Sequence, residues 1–295
     1  MSDVEAHTKP IEHKQRWYSS ESYMLPTDDE EYTRLQRQHD LIRELFENRL
    51  VLCPLEMKNG DEVLDVGTGK AAWALEFLSS YPNVRGSNIK LVCIDISDRL
   101  FPKPPPSNMI FQIQNVLNLP PDWTGRFAFV HQRLLMAALK KDEWHRAVKE
   151  VYRVTKCGGW VQFCESNSVS HIDGCGPANA RFTELYEKMW EAVGLDPLCS
   201  LNIGPIMQQV GFVGVKTEKR VVGLGEWNGD IGAKHKMNLM GVWRGFKTPI
   251  LKLGGFGMVK NEEEFDKLMD EMEDEWKRPG AAYGFYVITG QKPGN

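Results

Sequence analysis

An acid, a bare turn and a second acid are the first residues that could do chemistry. In Glu62–Trp73 (EVLDVGTGKAAW) an apolar run ends at Asp65, and Gly67-Thr68-Gly69 follows almost without side chains. Glycine lets the backbone approach a ligand closely and take left-handed dihedrals without steric cost. Further on, KLVCID ends in Asp95, an acid placed to accept hydrogen bonds from ribose hydroxyls. A glycine turn plus a distant acid fits any nucleoside, and Asp65 decides between kinds. Its carboxylate would repel a pyrophosphate. The run Gly67-Thr68-Gly69-Lys70-Ala71-Ala72 also lacks the third glycine of the G-x-G-x-x-G fingerprint, which disfavours a dinucleotide-linked oxidoreductase. A cationic nucleoside free of phosphate suits the acid, and S-adenosylmethionine is such a ligand.

These residues work together only if strands end at one edge. Glu62–Val66, Lys90–Asp95, Met109–Gln114, Arg126–His131 and Gly158–Glu165 read as strands. Helical spacing runs from Asp28 through Tyr32, Leu35, His39, Ile42, Leu45, Phe46 and Leu50, and again over Lys70–Ser80 and Asp142–Thr155. The last of these helices is expected to end at the double glycine Gly158-Gly159, which would lead into the fifth strand. Strand and helix in alternation predict a mostly parallel sheet covered on both faces. In such a sheet ligands sit beyond the carboxyl ends of the strands, where the strand order reverses. Past Ser166 the pattern becomes helical over Asn179–Val193 and Ile203–Val210. GFVGVKTEKRVV then reads as a strand, residues 223–260 are rich in Gly, Trp and Met, and a charged helix carries Phe265, Leu268, Met269, Met272 and Trp276 on one stripe. AAYGFYVITGQKP closes as a strand.

At this point the chain resembles a known group. DVGTGxxxW followed by IDIS, then FxFVHxR and KEVYRVTKCGGWVQFCE, looks like the class I methyltransferase fold. With the lead-in YMLPTDDEEYTRLQRQHD and the closing YxxxGQKP, it is more closely similar to the fungal LaeA-like (UMTA-type) methyltransferases. The resemblance implies a Rossmann-like, mostly parallel seven-stranded sheet with helices on both faces and a helical cap. It places Asp65, Gly67, Thr68 and Gly69 on the cofactor loop and Asp95, with Ile96, at the ribose. Asn115, with Val116, falls where the group has an adenine-binding Asp. Ala71 and Ala128 depart from the group's pattern. His131 and Arg133 match its H-x-R, His131 as base or substrate positioner and Arg133 toward the cofactor carboxylate.

Composition bounds the rest. The chain of 295 residues carries a net charge of -4 and 42% apolar residues, enough for a full core and without an electrostatic footprint for nucleic acid. No apolar run is long enough to span a membrane, and the polar N-terminus is unlike a secretory signal. The six cysteines have no C-x-x-C pair, which predicts reduced thiols, no zinc ligation and a cytoplasmic protein. Division is expected into an arm and lid helix (1–50), a methyltransferase core (51–222), a cap or substrate insertion (223–280) and a returning strand (281–295). The lid would close through Trp17, Tyr18 and Tyr23. The acceptor is then expected at His39, Asn167, His171, Met240 and Trp243, with His235 and Arg244 as further polar groups and Trp227, Met237 and Phe246 as apolar wall. The reading is methyl transfer from S-adenosylmethionine to a small, partly apolar metabolite in secondary metabolism. The alternative is a LaeA-like, partner-binding regulator, possible in the nucleus, with a vestigial cofactor site; no basic localisation cluster supports it.

Overall fold

The computed structural model describes residues 25–26, 29–81, 88–167 and 175–294. Its frame is a seven-stranded sheet in the order β3-β2-β1-β4-β5-β7-β6. The strands are β1 (Glu62–Val66), β2 (Lys90–Asp95), β3 (Met109–Ile113), β4 (Phe127–Arg133), β5 (Thr155–Asn167), β6 (Val213–Gly223) and β7 (Ala282–Gln291). Neighbours from β3 to β5 run parallel, and β7 pairs antiparallel with both β5 and β6. The fold is the expected one.

The alternation of side chains along β1 explains the layers. Val63 packs into one apolar core with Trp73, Ala74 and Phe77 of α2 (Ala72–Ser80), whereas Leu64 and Val66 enter a second core. That second core takes Trp144, Ala147, Val148, Val151 and Val154 from one stripe of α3 (Trp144–Val154). A parallel sheet thus buried on both faces needs apolar strands throughout, and β1, β2 and β4 supply them.

The chain leaves β1 toward β2 and β3, then crosses back to β4 on the other side of β1. The order reverses between β1 and β4, and Asp65 lies directly opposite His131 in their register. This is where an open α/β sheet leaves a crevice.

Two expectations are corrected. The helical pattern read as far as Leu50 stops earlier, because α1 spans Asp29–Leu45 and Glu47 and Asn48 turn the chain at φ 60 each. The double glycine does not end α3; it lies inside β5, whose first residue is Thr155. A Cβ on Gly159 would come within 2.9 Å of the Lys156 carbonyl oxygen and 3.0 Å of that of Ala128, and Gly158 has φ +75. The pair lets β5 shift register against β4 at Phe127/Phe129.

Beyond β5 come α4 (Pro177–Val193) and α5 (Cys199–Val210). The connection from β6 to β7 carries α6 (Gly229–Gly245), α7 (Lys247–Lys252) and α8 (Glu262–Glu275). The α8 helix starts at Asn261, whose side chain accepts from the Glu264 N–H, and buries Phe265, Leu268, Met269 and Met272. It packs on α4, and α6 packs on α1.

Candidate functional site

The turn after β1 is shaped by backbone bonds to the neighbouring strand. Thr68 donates its N–H to the Ile94 carbonyl at 2.9 Å, and Gly69 donates its N–H to Asp95 Oδ2 at 2.9 Å. Gly67, Gly69 and Ala71 all take left-handed dihedrals, with φ 65, 52 and 61. A Cβ on Gly67 would meet Leu135 Cδ2 at 2.6 Å, and with φ +65 this favours glycine here. Ala71 occupies a glycine-like conformation at the entry of α2. Ala71, which departs from the resembled group's pattern in residue type, thus keeps a left-handed geometry.

At the strand ends, Asp65 accepts from Thr68 Oγ1 at 2.5 Å through one oxygen and bonds His131 Nδ1 at 2.7 Å through the other. The His131 ring lies flat on Trp73, with centroids 3.8 Å apart and planes 8° from parallel. Burial holds the imidazole below its usual pKa, against the pull of Asp65. A neutral ring that donates from Nδ1 to the carboxylate keeps a lone pair on Nε2.

Arg133 ends β4. Its Nη1 donates to His39 Nδ1 at 3.2 Å, and no carboxylate oxygen lies within salt-bridge distance among the described residues. His39 in turn donates from Nε2 to Glu76 at 2.6 Å, and Glu76 also pairs with Arg43 at 2.6 Å. Burial and the Arg133 charge lower His39 to about 4, so it is neutral and tethers α1 to α2.

One cavity of about 920 Å³ runs along this edge. Asp65, Gly67, Thr68, Gly69, Asp95, Ile96, Asn115, Val116, His131 and Arg133 all line it, so every cofactor or catalytic residue expected from the sequence meets in one space. Burial raises the Asp95 carboxyl above its ordinary pKa, against the N–H groups of Gly69 and Ser97 that favour the anion. Asn115 Oδ1 already accepts from the Leu117 N–H at 2.9 Å, which caps the next turn and leaves one lone pair for a ligand.

The expected acceptor residues are placed differently. Met240 and Trp243 do not line the cavity. Trp243 is buried against Phe182, Tyr186 and Trp276 at centroid separations of 4.8, 6.2 and 5.1 Å, because its face of α6 turns toward α4 and α8. The adjacent stripe of α6 supplies the wall through His235, Asn238, Leu239 and Val242, with Phe246 just past its end. His39 stands behind Arg133 rather than in the cavity, and Asn167 is buried within β5 opposite Gly284. Arg244 pairs with Asp270 and Glu273 on α8. His171 lies outside the described residues, as do Trp17, Tyr18 and Tyr23.

Sequence reasoning missed Ser166, Tyr186, Tyr283 and Phe285, which also line the cavity. Tyr283 and Phe285 alternate inward on β7, a period-two signal that the sequence carries. His235, expected from the sequence as a polar group for the acceptor, does line the cavity, and Asn238, Leu239 and Val242 share its helical spacing.

S-adenosylmethionine has a carboxylate, two cations and a ribose. The fit is tested by Arg133, a half-buried guanidinium that lines the cavity with no salt-bridged carboxylate among the described residues. A ligand carboxylate completes it. Asp95, at the other strand end, is free to accept from a diol alongside its two backbone N–H groups. The residues present fit the group.

Comparisons with known proteins agree. Residues 63–159 match the family described as "Methyltransferase domain". The chain is 31% identical to the N-methyltransferase sirN of Leptosphaeria maculans, over 92% of this chain and 95% of the relative. It is 30% identical to the N-methyltransferase gliN of Aspergillus fumigatus, over 93% and 98%. Among solved structures it superposes on a chain from the complex between the Haloferax volcanii Trm112 methyltransferase activator and a methyltransferase. There the TM-score is 0.50 and the identity 14%, over 90% of this chain and 96% of that one, which speaks for the fold alone.

Proposed function

The chain belongs to the class I S-adenosylmethionine-dependent methyltransferases, and from that premise we propose that it methylates a nitrogen atom of a small, partly apolar metabolite. The observation that carries the reading is the Asp65–His131 pair on the cavity wall. Support for nitrogen comes from the two relatives named N-methyltransferases, each aligned over more than nine-tenths of this chain. The order of motifs from Tyr23 to Glu165 supports a place in the fungal LaeA-like group. None of the six thiols is disulfide-bonded, which supports a cytoplasmic setting. No described helix is long and apolar enough to cross a membrane.

When bound, the cofactor supplies a methyl group already activated on a sulfonium. The chain's part is to orient the acceptor and to receive a proton. Gly67 and Gly69 admit the ligand close to the backbone, Asp95 takes the ribose hydroxyls and Arg133 takes the carboxylate. Orientation of this kind can account for about 7–11 kcal/mol of barrier. An N–H nitrogen that gains a methyl becomes more acidic, and His131 Nε2, neutral and held by Asp65, accepts its proton. General-base help of this type is worth roughly 10²–10⁴-fold. Leu35 and Gln38 of helix α1 line the same cavity.

The test is incubation with methyl-labelled cofactor and a panel of nitrogen, oxygen and thiol acceptors of matched apolar skeleton. Transfer to nitrogen is expected, with a loss on the order of a hundredfold in His131→Gln at unchanged cofactor affinity. Label on oxygen or sulfur alone would reject the nitrogen assignment, and full turnover in the variant would reject His131 as base.

A further inference from the structure

Behind Arg133 a row of polar contacts leads back to the surface. Glu76 of α2 divides its two carboxylate oxygens between Arg43 Nη1 and His39 Nε2, each at 2.6 Å. The other nitrogen of that ring, Nδ1, stands 3.2 Å from Arg133 Nη1. Among the described residues this is the one hydrogen bond of the Arg133 side chain. His39 and Arg43 lie a helical turn apart on one face of α1, so a single helix feeds both ends of the row.

The direction of every bond follows from the groups themselves. Burial disfavours a charge on Glu76, but the bonds from Arg43 and His39 outweigh it and hold the carboxyl below its usual pKa. A carboxylate only accepts, so His39 Nε2 must carry the ring hydrogen. Burial and the Arg133 charge keep the imidazole neutral, which leaves Nδ1 a bare lone pair. A guanidinium only donates, and Arg133 Nη1 finds its acceptor there. The carboxylate on the far nitrogen also makes the near one a stronger acceptor.

What stands beside a ligand-binding cation decides how much charge it can offer. A carboxylate in the place of Nδ1 would orient Arg133, but it would also neutralise it and compete with an anionic ligand. With no partner at all, the long side chain would lose rotamer freedom each time a ligand bound. A neutral acceptor fixes the guanidinium and leaves its positive charge for the ligand. His39 is 2% exposed and does not line the cavity, so it acts only through Arg133.

On the methyl-transfer reading, we propose that His39 is a positioning residue, whose Nδ1 holds the Arg133 guanidinium in the orientation that takes the cofactor carboxylate. This duty is separate from the tie between α1 and α2. The two duties use different nitrogens of one ring.

That division supplies the test. His39→Gln places a carboxamide where Nε2 stood and keeps the bond to Glu76, whereas His39→Asn places one where Nδ1 stood and keeps an acceptor for Arg133. Calorimetry with S-adenosylhomocysteine is expected to show His39→Gln about two- to tenfold weaker than wild type, the range of one hydrogen bond, and His39→Asn close to wild type. Methylthioadenosine keeps the nucleoside and the sulfur but has no carboxylate, and both variants, with folding checked by circular dichroism, should bind it as wild type does. In an Arg133→Ala background the His39→Gln deficit should vanish, because the residue it acts through is gone. On the wild-type protein, nitrogen NMR shifts of the ring should report the Nε2–H tautomer without recourse to any variant. Unchanged binding in His39→Gln, the reverse order of the two variants, a deficit that persists without Arg133, equal losses for both ligands in a folded variant, or an Nδ1–H ring overturns the proposal. S-adenosylhomocysteine binding that is absent in wild type, or indifferent to Arg133→Ala, strikes the underlying reading of the cofactor site instead, and the role of His39 falls with it.

Discussion

Both carboxylate oxygens of Asp65 are engaged within the protein, one by Thr68 and one by His131. The sequence argument set this acid against the ligand's cation; its geometry gives it the further task of fixing the His131 ring. Because Asp65 raises the pKa that burial lowers, its removal must lower it further. Asp65→Asn is therefore expected to move the acid limb of the kcat profile to lower pH, measured as rate against pH at saturating cofactor. A shift to higher pH would mean that His131 is not the group titrating. Arg133 belongs to the same scale. Charge-assisted bonds contribute about 1.5–3 kcal/mol each, so Arg133→Ala should weaken S-adenosylhomocysteine binding roughly tenfold to a hundredfold by calorimetry. Adenosine, which has no carboxylate, should bind wild type and variant alike, and equal losses for both ligands would remove Arg133 from the carboxylate.

Helix α1 meets the site from above and is tied to α2 through His39 and Glu76. Its Leu35 and Gln38 line the cavity, so bound cofactor should slow amide exchange across Asp29–Leu45. Equal exchange with and without S-adenosylhomocysteine would show that the helix is a fixed wall and not a lid. Helix α6 makes the opposite point, because its two faces have separate duties. Trp243 is fully enclosed by aromatic rings, and its truncation should cost about 3–5 kcal/mol of stability with cofactor affinity preserved. Chemical denaturation and calorimetry together check this. A stable Trp243→Ala protein with impaired turnover would return the residue to the acceptor side.

At the scale of the whole molecule, Glu165 is buried near the carboxyl end of β5, where it accepts the N–H groups of Leu135 at 2.9 Å and Met136 at 3.3 Å. Burial raises its carboxyl to about 8, so the folded protein keeps a proton that the unfolded chain loses near the ordinary value of 4.5. Stability from this group is full below that lower value and drains away as pH rises toward 8. The loss approaches about 1.4 kcal/mol per pH unit while the proton is held only by the folded state. Toward pH 8 the buried histidines His39, His131 and His235, all lowered in the folded protein, are neutral folded or unfolded, so the slope there belongs mainly to Glu165. Glu165→Gln should flatten unfolding free energy across that window, and an unchanged slope would assign the effect elsewhere.

What the sequence made legible follows from the range of the forces involved. The sheet, the glycine turn and the acids at the ends of β1 and β2 were readable because period-two burial and turn chemistry are local. The double glycine of β5 was misread as a helix stop, since only the neighbouring strand explains it. Trp243 was misplaced for a related reason. Its type says that it is buried, but only the packing of α4 and α8 decides which face of α6 turns away from the cavity.

Gly223 stands directly opposite Ala282 in the β6–β7 register, so the chain leaves the sheet and rejoins it at adjacent points. Everything between them, including α6, α7 and α8, hangs from a single doorway. Such an excursion can be lengthened, shortened or exchanged while the strand pairing below keeps its alignment, since both ends of any replacement need only meet the same two residues. The segment that carries α6 can thus diverge as a cassette wherever its packing on α1 and α4 is kept. The edge formed by β1, β2 and β4 is constrained more tightly, by a turn with left-handed dihedrals at Gly67, Gly69 and Ala71. A chimaera that imports this segment from a relative, joined at Gly223 and Ala282, would inherit that relative's choice of acceptor together with this chain's grip on the methyl donor.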